Sequence, residues 1–404
     1  MGKKHIICIA SEFKGYEFIE AAQNAGWHVT LLTRDDLKDN AWPWKSINEI
    51  RTLPRESREE EYLREIVNIG GIQPIDHVVG VDEFDVLPSA RAREYLQIFK
   101  GMSRSHALRF RDKLTMRTIA SKSGVLCPDF VGAFNPAEIN EYLERVPAPW
   151  IVKPRTEVSA FGIRKCDSAD QVWNVLTELD SRNIWRDHPS KYQIERFIEG
   201  DVYHVDSAVR DGKVVAAGVN KYGTTPFNVA RGGVFTSYTL DYDSEERDDL
   251  LNLNKKLLKA FDHKKGVAHA EFLKSTEDGR FYLVEVACRV GGAYIANVHE
   301  HANGFNLWSE WGKLETETKN KPYKAPKLKK EYAGIALALA KEEKPDTSHY
   351  TDKEIVYRVD KPRHVGLIFR TDSKERLEEL MSTYSERITE DFLAIAPVKE
   401  RYDD

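Results

Sequence analysis

The stretch Val267–Gly292, VAHAEFLKSTEDGRFYLVEVACRVGG, constrains the fold more than any other part of the chain. Two alternating runs flank Glu277-Asp278-Gly279, which reads as a three-residue hairpin loop with Gly279 in the left-handed position. In that register Leu273 faces Leu283 and Glu271 faces Glu285. The period of two then sets His269, Ala287 and Arg289 on the same face, while Ala270, Phe272, Val284 and Val286 point into a core. A slipped register would separate the glutamates, and an exposed sheet face would simply solvate them.

Carboxylates on directly opposed strand positions repel. At about 4 to 5 Å and an effective dielectric of about 20, the repulsion is a few kcal/mol unless a proton or a cation relieves it. Hard oxygen donors on a rigid hairpin select a divalent ion such as Mg2+, which takes water and substrate phosphates as its remaining ligands. The pair therefore points to a nucleoside triphosphate.

The rest of the chain is globular. Its 404 residues predict two or three domains at about 150 residues each, and 41% hydrophobic with 31% charged residues excludes a disordered or collagen-like chain. Sixty basic against sixty-five acidic side chains give no positive field for nucleic acid or anionic membrane. No apolar run is long enough to span a bilayer, and the start MGKKHIICIASEFKG reads as a buried strand rather than a leader. Cys8, Cys127, Cys166 and Cys288 form no CxxC pair, which suggests a reducing, cytoplasmic setting.

Strand and helix signals alternate over the first hundred residues: strands at His5–Ala10, Trp27–Thr33 and Asp76–Asp82, helices at Tyr16–Ala25, Arg55–Asn68 and Pro88–Phe99. This predicts a parallel, doubly wound domain over 1–102. A long basic helix is expected over Ser103–Ser123. Beyond it, antiparallel signals at Trp150–Lys153, Ile163–Cys166, Tyr192–Ile198 and a Val202–Asn220 hairpin turning at Asp211-Gly212 predict an α+β domain over 103–318, with a subdomain at about 125–200. A helix over Ser244–Phe261 would open on a capping box of Asp243 and Glu246. Six lysines and two prolines between Lys319 and Lys330 read as an exposed connection to a small domain over 331–404.

Other residues carry chemistry only in context. Lys153 ends a strand in PWIVKP, before a TEVSAFGIRK loop that can fold over phosphates, and Lys113 lies mid-helix in RDKLTMR. His204 and Asp206 alternate on one strand face and are candidates for ribose or substrate. Arg231 in ARGG can clamp a carboxylate, and Glu83, just past a parallel strand, lies where open α/β sheets bind ligands. His299-Glu300-His301 lacks a nearby third ligand and reads as a polar helix start rather than a zinc site. No GxxxxGK[ST], GxGxxG, HExxH or GxSxG motif occurs.

Taken in order, RDKLTMRTIASKSGVLCPDF, WIVKP, YQIERFIEG, VYHVDS, VAHAEF and FYLVEVACRVGG resemble the serial signature of ATP-grasp enzymes, in particular the carboxylate-amine ligases. The resemblance covers about Asp112 to Gly292. It implies an ATP-grasp fold (α/β plus α+β) with an amino-terminal Rossmann-like domain and a small carboxy-terminal α+β domain. Lys113 and Lys153 would contact ATP phosphates, and Glu195, Arg196, Phe197 and Ile198 would form the adenine hinge. Glu271 and Glu285 would hold one or two Mg2+ ions. Arg289 would bind an acyl phosphate, with Gly291 and Gly292 allowing close backbone approach.

The chain departs from the family pattern at three places. Ala287 stands where Asn is usual, so a second ion would lose a ligand or use water. The ribose-binding acid aligns with Val202, leaving Asp201 as a shifted candidate, and the Thr156–Gly162 loop has one glycine.

The implied reaction is attack of a carboxylate on the γ-phosphate of ATP, then displacement of phosphate by an amine, with two amino acids as the expected substrates. A homodimer is compatible with it, and neither nucleic acid nor membrane is expected as a partner. Nucleotide binding without turnover, and biotin carboxylase-like use of bicarbonate, are the competing readings.

Overall fold

The structure is a computed structural model that describes residues 2–158, 161–181, 191–224, 229 and 232–395. Three sheets carry the site. The first is parallel, in the order β3-β2-β1-β4, from β1 (His5–Ala10), β2 (His28–Arg34), β3 (Glu49–Leu53) and β4 (His77–Gly80). Its inner strands are continuous buried runs, as a sheet covered on both faces requires. β3 went unread because its sequence, EIRTL, is only half-buried at the sheet edge and carries two charges. The loops after β1 and β4 end at Lys14 and at Asp82–Phe84, on the carboxyl side where such sheets bind ligands.

The second sheet is antiparallel, in the order β5-β8-β6-β7: β5 (Phe130–Gly132), β6 (Trp150–Pro154), β7 (Arg164–Cys166) and β8 (Tyr192–Arg196). The third has eight strands, led by β9 (Gly200–Arg210), β10 (Lys213–Tyr222), β11 (Phe235–Thr239), β12 (Lys265–Ser275) and β13 (Phe281–Ala287). β11 pairs with β14 (Tyr332–Leu339), which continues the same sheet through β16 (His364–Thr371) to β15 (Ile355–Arg358). Asp211 and Gly212, both at positive φ, make the β9–β10 turn.

Two local expectations fail for clear reasons. The Ser103–Ser123 segment is not one helix. It breaks into Arg104–Ala107, a 3-10 turn at Leu108–Phe110 and a new helix Lys113–Lys122, because Asp112 turns its carboxylate back to accept the Thr115 amide at 2.8 Å. Lys113 is therefore the first residue of a helix, not a mid-helix lysine. Likewise Ser244, not Asp243, caps the helix Glu245–Ala260, accepting from the Arg247 amide.

Candidate active site

A cavity of about 1010 Å3 opens where the three sheets meet, and the β12–β13 hairpin forms part of its wall. Glu271 and Glu285 are direct partners across that ladder, and both line the cavity with His269 and Arg289. Beyond them the register departs from the alternation. A bulge after Glu271 pairs Phe272 with Leu283, so Leu283 enters the core and Val284 turns to the cavity. The expected Leu273–Leu283 partnership is absent: Leu273 meets Tyr282 and Ser275 meets Arg280, so the turn holds residues 276–279, one more than the three-residue loop expected. The bulge at Val284, whose carbonyl accepts from Arg117 at 2.7 Å, restores the Glu271–Glu285 pair.

The glutamates keep different company. Glu271 Oε1 accepts from Tyr222 at 2.8 Å and from His269 Nε2 at 3.2 Å. Burial works to raise its pKa, but His269 and Tyr222 outweigh it and hold the carboxyl below its ordinary value. Glu285 meets Lys113 Nζ at 3.0 Å, and the same ammonium donates to the Glu157 carbonyl at 2.7 Å. Two hard carboxylates on adjacent strands, both on a cavity wall, suit a divalent cation.

Lys153 lines the cavity on β6 and is anchored by Glu195 at 2.7 Å, while Arg117 grips the other oxygen of Glu195 at 2.8 Å. Burial pulls the Lys153 pKa down to about 8 against the attraction of Glu195. Glu195 thus turns away from the cavity as a counter-ion, where a hinge contact was expected, because Arg117 and Lys153 need a buried partner. Arg196 also points outward, to Glu277 at 2.6 Å. Phe197 and Ile198 do line the cavity, just after β8, and Lys165 lies 4.3 Å over the Phe197 ring. Asp201 is not on the wall; its exposed carboxylate pairs with Lys221 at 2.6 Å.

Arg289 donates to Glu83 at 2.6 Å, and Arg111 reaches the other Glu83 oxygen at 2.6 Å. Burial opposes the charge on Glu83, yet the two guanidiniums hold its pKa at about 2. Glu83 touches the cavity chiefly as the post that aims Arg289. Gly292 lines the cavity with open space at its Cβ position. Gly291 does not: a Cβ there would lie 2.9 Å from His269 Nδ1 and 3.1 Å from Asp206 Oδ1.

His204 and Asp206 are fully buried and do not reach the cavity. Asp206 is the centre of a cluster, accepting from His204 Nδ1 at 2.5 Å, His269 Nδ1 at 2.8 Å and His299 Nε2 at 3.0 Å. Burial would raise the Asp206 pKa, but the histidines hold it well below its ordinary value, and His269 is lifted to about 10 against its own desolvation. The HxH segment therefore contributes one residue inward, His299. Arg231 lies outside the described residues. Sequence reasoning missed Arg111, Arg117, Tyr222 and the role of His269; the first two are ordinary helical arginines by pattern, and only the fold brings them to Glu83 and Glu195.

Residues 146–297 match the family model for an ATP-grasp domain. An L-arginine-specific L-amino acid ligase from Bacillus subtilis is 26% identical over 246 residues, 61% of this chain and 58% of that protein. The alanine–anticapsin ligase of the same organism is 24% identical over 254 residues, 58% of this chain and 52% of the relative. The match thus spans little more than half the length of these relatives. Among solved structures, the L-amino acid ligase from Bacillus licheniformis superposes with a TM-score of 0.75 at 18% identity, covering 98% of this chain and 100% of that one. An N5-carboxyaminoimidazole synthetase from Staphylococcus aureus gives 0.71 at 13% identity, covering 96% and 100%. The fold is the ATP-grasp fold.

Proposed function

We propose, from the ATP-grasp domain that this chain carries at its centre, that the protein is an ATP- and Mg2+-dependent carboxylate-amine ligase that releases ADP and phosphate. The observation that carries the reading is the pairing of Glu271 with Glu285 on the wall of a cavity that also holds Lys113, Lys153 and Arg289. The donor set fits Mg2+, and the charges fit a triphosphate. Bound there, Mg2+ would neutralise phosphate charge.

The chain's own residues do the rest. Phe197 and Ile198 offer an apolar slot to a base, and Lys165 over Phe197 adds a cation at its edge. Lys153 and Lys113 meet the phosphates. A substrate carboxylate attacks the γ-phosphorus, giving an acyl phosphate and ADP, and an amine then attacks the acyl carbon, expelling phosphate and losing a proton. Arg289, aimed by Glu83, offsets the charge spread over the transferring phosphoryl group and its oxygens. This is electrostatic positioning with no covalent bond to the protein.

Amino acids are the substrates this reading favours, since two relatives are named as ligases of amino acids. We place the reaction in the cytoplasm. Among the described residues no helix is long and apolar enough to cross a membrane, and all four cysteines are free.

Phosphate release from ATP with a panel of amino acids, scored against Glu285→Ala, tests the proposal. Release that depends on an amino-acid pair and disappears in the variant supports it. Release with bicarbonate alone, or ADP binding without any substrate-dependent release, overturns it in favour of a carboxylase-like enzyme or a nucleotide-binding protein. Mass spectrometry of products from a mixed pool identifies both halves of the amide.

A further inference from the structure

Glu271 is the more constrained of the two carboxylates, and what constrains it runs from the cavity wall, at His269 and Tyr222, into the buried core at Asp206. Its hydrogen bonds from Tyr222 and His269 both fall on Oε1. His269 Nδ1 faces the Asp206 carboxylate at 2.8 Å, and its Nε2 faces Glu271 at 3.2 Å and the Tyr222 hydroxyl at 3.4 Å. The ring is a strut between two carboxylates, its rotation fixed at both ends.

The far end of the strut is fixed in turn. Asp206 is held by His204 and His299, with His204 Nε2 on the Ser237 hydroxyl at 2.8 Å and His299 Nδ1 on Asn303 at 3.2 Å. Apart from His269, which is 7% exposed, the Asp206 cluster is closed to solvent. Such a network is costly to bury unless every member is satisfied. Gly291 completes it, because any side chain there would press on His269 and Asp206. Four strands and the helix Ile295–Asn303 thus converge on one oxygen of Glu271.

We infer that His269, backed by Asp206 and joined by Tyr222, is a positioning residue that fixes Oε1 of Glu271 and thereby presents the other oxygen to the divalent cation. The inference rests on the proposed role of Glu271 and Glu285. Metal-site partners one bond removed from the ligand typically contribute 10- to 100-fold to affinity. In the cluster itself one nitrogen of each histidine stands at hydrogen-bond distance from Asp206, 2.5 to 3.0 Å, and the other nitrogens face Ser237, Glu271 and Asn303.

The test is Mn2+ binding to the full chain with ADP, followed by electron paramagnetic resonance, which needs no turnover. His269→Ala should weaken Mn2+ about 10- to 100-fold while metal-free ADP binding stays within twofold. His269→Gln, whose amide still donates to Glu271, should recover part of the loss. Tyr222→Phe should lose several-fold, and it decides the matter if the histidine variants fail to fold. Wild-type affinity in both His269→Ala and Tyr222→Phe overturns the inference alone. Absence of Mn2+ binding by the wild type, or unchanged binding in Glu285→Ala, overturns the cation reading and the inference with it. Stoichiometric zinc lost in Asp206→Asn also overturns it, by making the cluster a metal centre.

Discussion

Glu271 and Glu285 stand opposite one another across the β12–β13 ladder, yet each is relieved by a different cation: His269 on one side, Lys113 on the other. The repulsion expected of an opposed pair is thus already offset before a metal arrives. On the proposed function Lys113 would serve twice, on Glu285 in the free protein and on phosphate in the nucleotide complex.

Lys113→Met should therefore separate two affinities. Without nucleotide, Mn2+ should bind several-fold tighter, because removing a competing charge at about 3 to 4 Å is worth about 1 kcal/mol in high dielectric. ATP should bind more weakly. Calorimetric titrations of Mn2+ and of ATP check both directions; a loss of both affinities together would contradict the dual role.

Glu83 is the buried counter-ion of two guanidiniums. Glu83→Ala should destabilise the fold by about 3 to 5 kcal/mol, the usual consequence of leaving buried charge unpaired. The pH dependence has a definite sign. A carboxyl held at about 2 in the fold and near 4.5 when unfolded contributes stability that is present above pH 4.5 and lost as pH falls toward 2. Acid denaturation of Glu83→Gln should be flatter over that window than that of the wild type, as followed by circular dichroism.

Lys153 supplies a second pH signature. Burial brings its pKa to about 8 in the free protein, so above that pH it is largely neutral. The phosphates of a bound nucleotide favour the charged form, so ATP binding at pH 8.5 to 9 should take up most of one proton, and affinity should fall as pH rises past 8. Calorimetry in two buffers of different ionisation enthalpy measures the uptake. Lys153→Met should abolish it.

The helix that carries Lys113 begins because Asp112 caps it, and the same carboxylate pairs with Arg155 at 2.6 Å. Asp112→Ala should cost about 1 to 2 kcal/mol in denaturant unfolding. It should also weaken ATP by freeing Lys113, whereas Asp112→Asn, which still caps, should lose less of both.

The hairpin and its turn were legible from strand periodicity and the Glu-Asp-Gly sequence, but the three-residue loop was not the right one: beside the turn Lys274 meets Phe281 and Ser275 meets Arg280, and it is the bulge that brings Glu271 opposite Glu285. Its bulge was not legible. Nothing in the alternation of Val284 and Leu283 marks it, since the extra residue is stabilised by Arg117 from another part of the chain. The same holds for Glu195, which reads as a hinge residue by sequence order but is drawn inward by Arg117 and Lys153. Long-range charge pairing leaves no periodic trace. His204 and Asp206 were recognised as special by their alternation, but the direction of their face depended on His299, nearly a hundred residues away.

Diffraction from crystals grown with Mn2+ and a non-hydrolysable ATP analogue, collected for anomalous signal, tests the central claim most directly. The account predicts a manganese peak within bonding distance of both Glu271 and Glu285, with the phosphates beside Lys113 and Lys153. A peak away from the two carboxylates, or nucleotide bound with no peak between them, would contradict it.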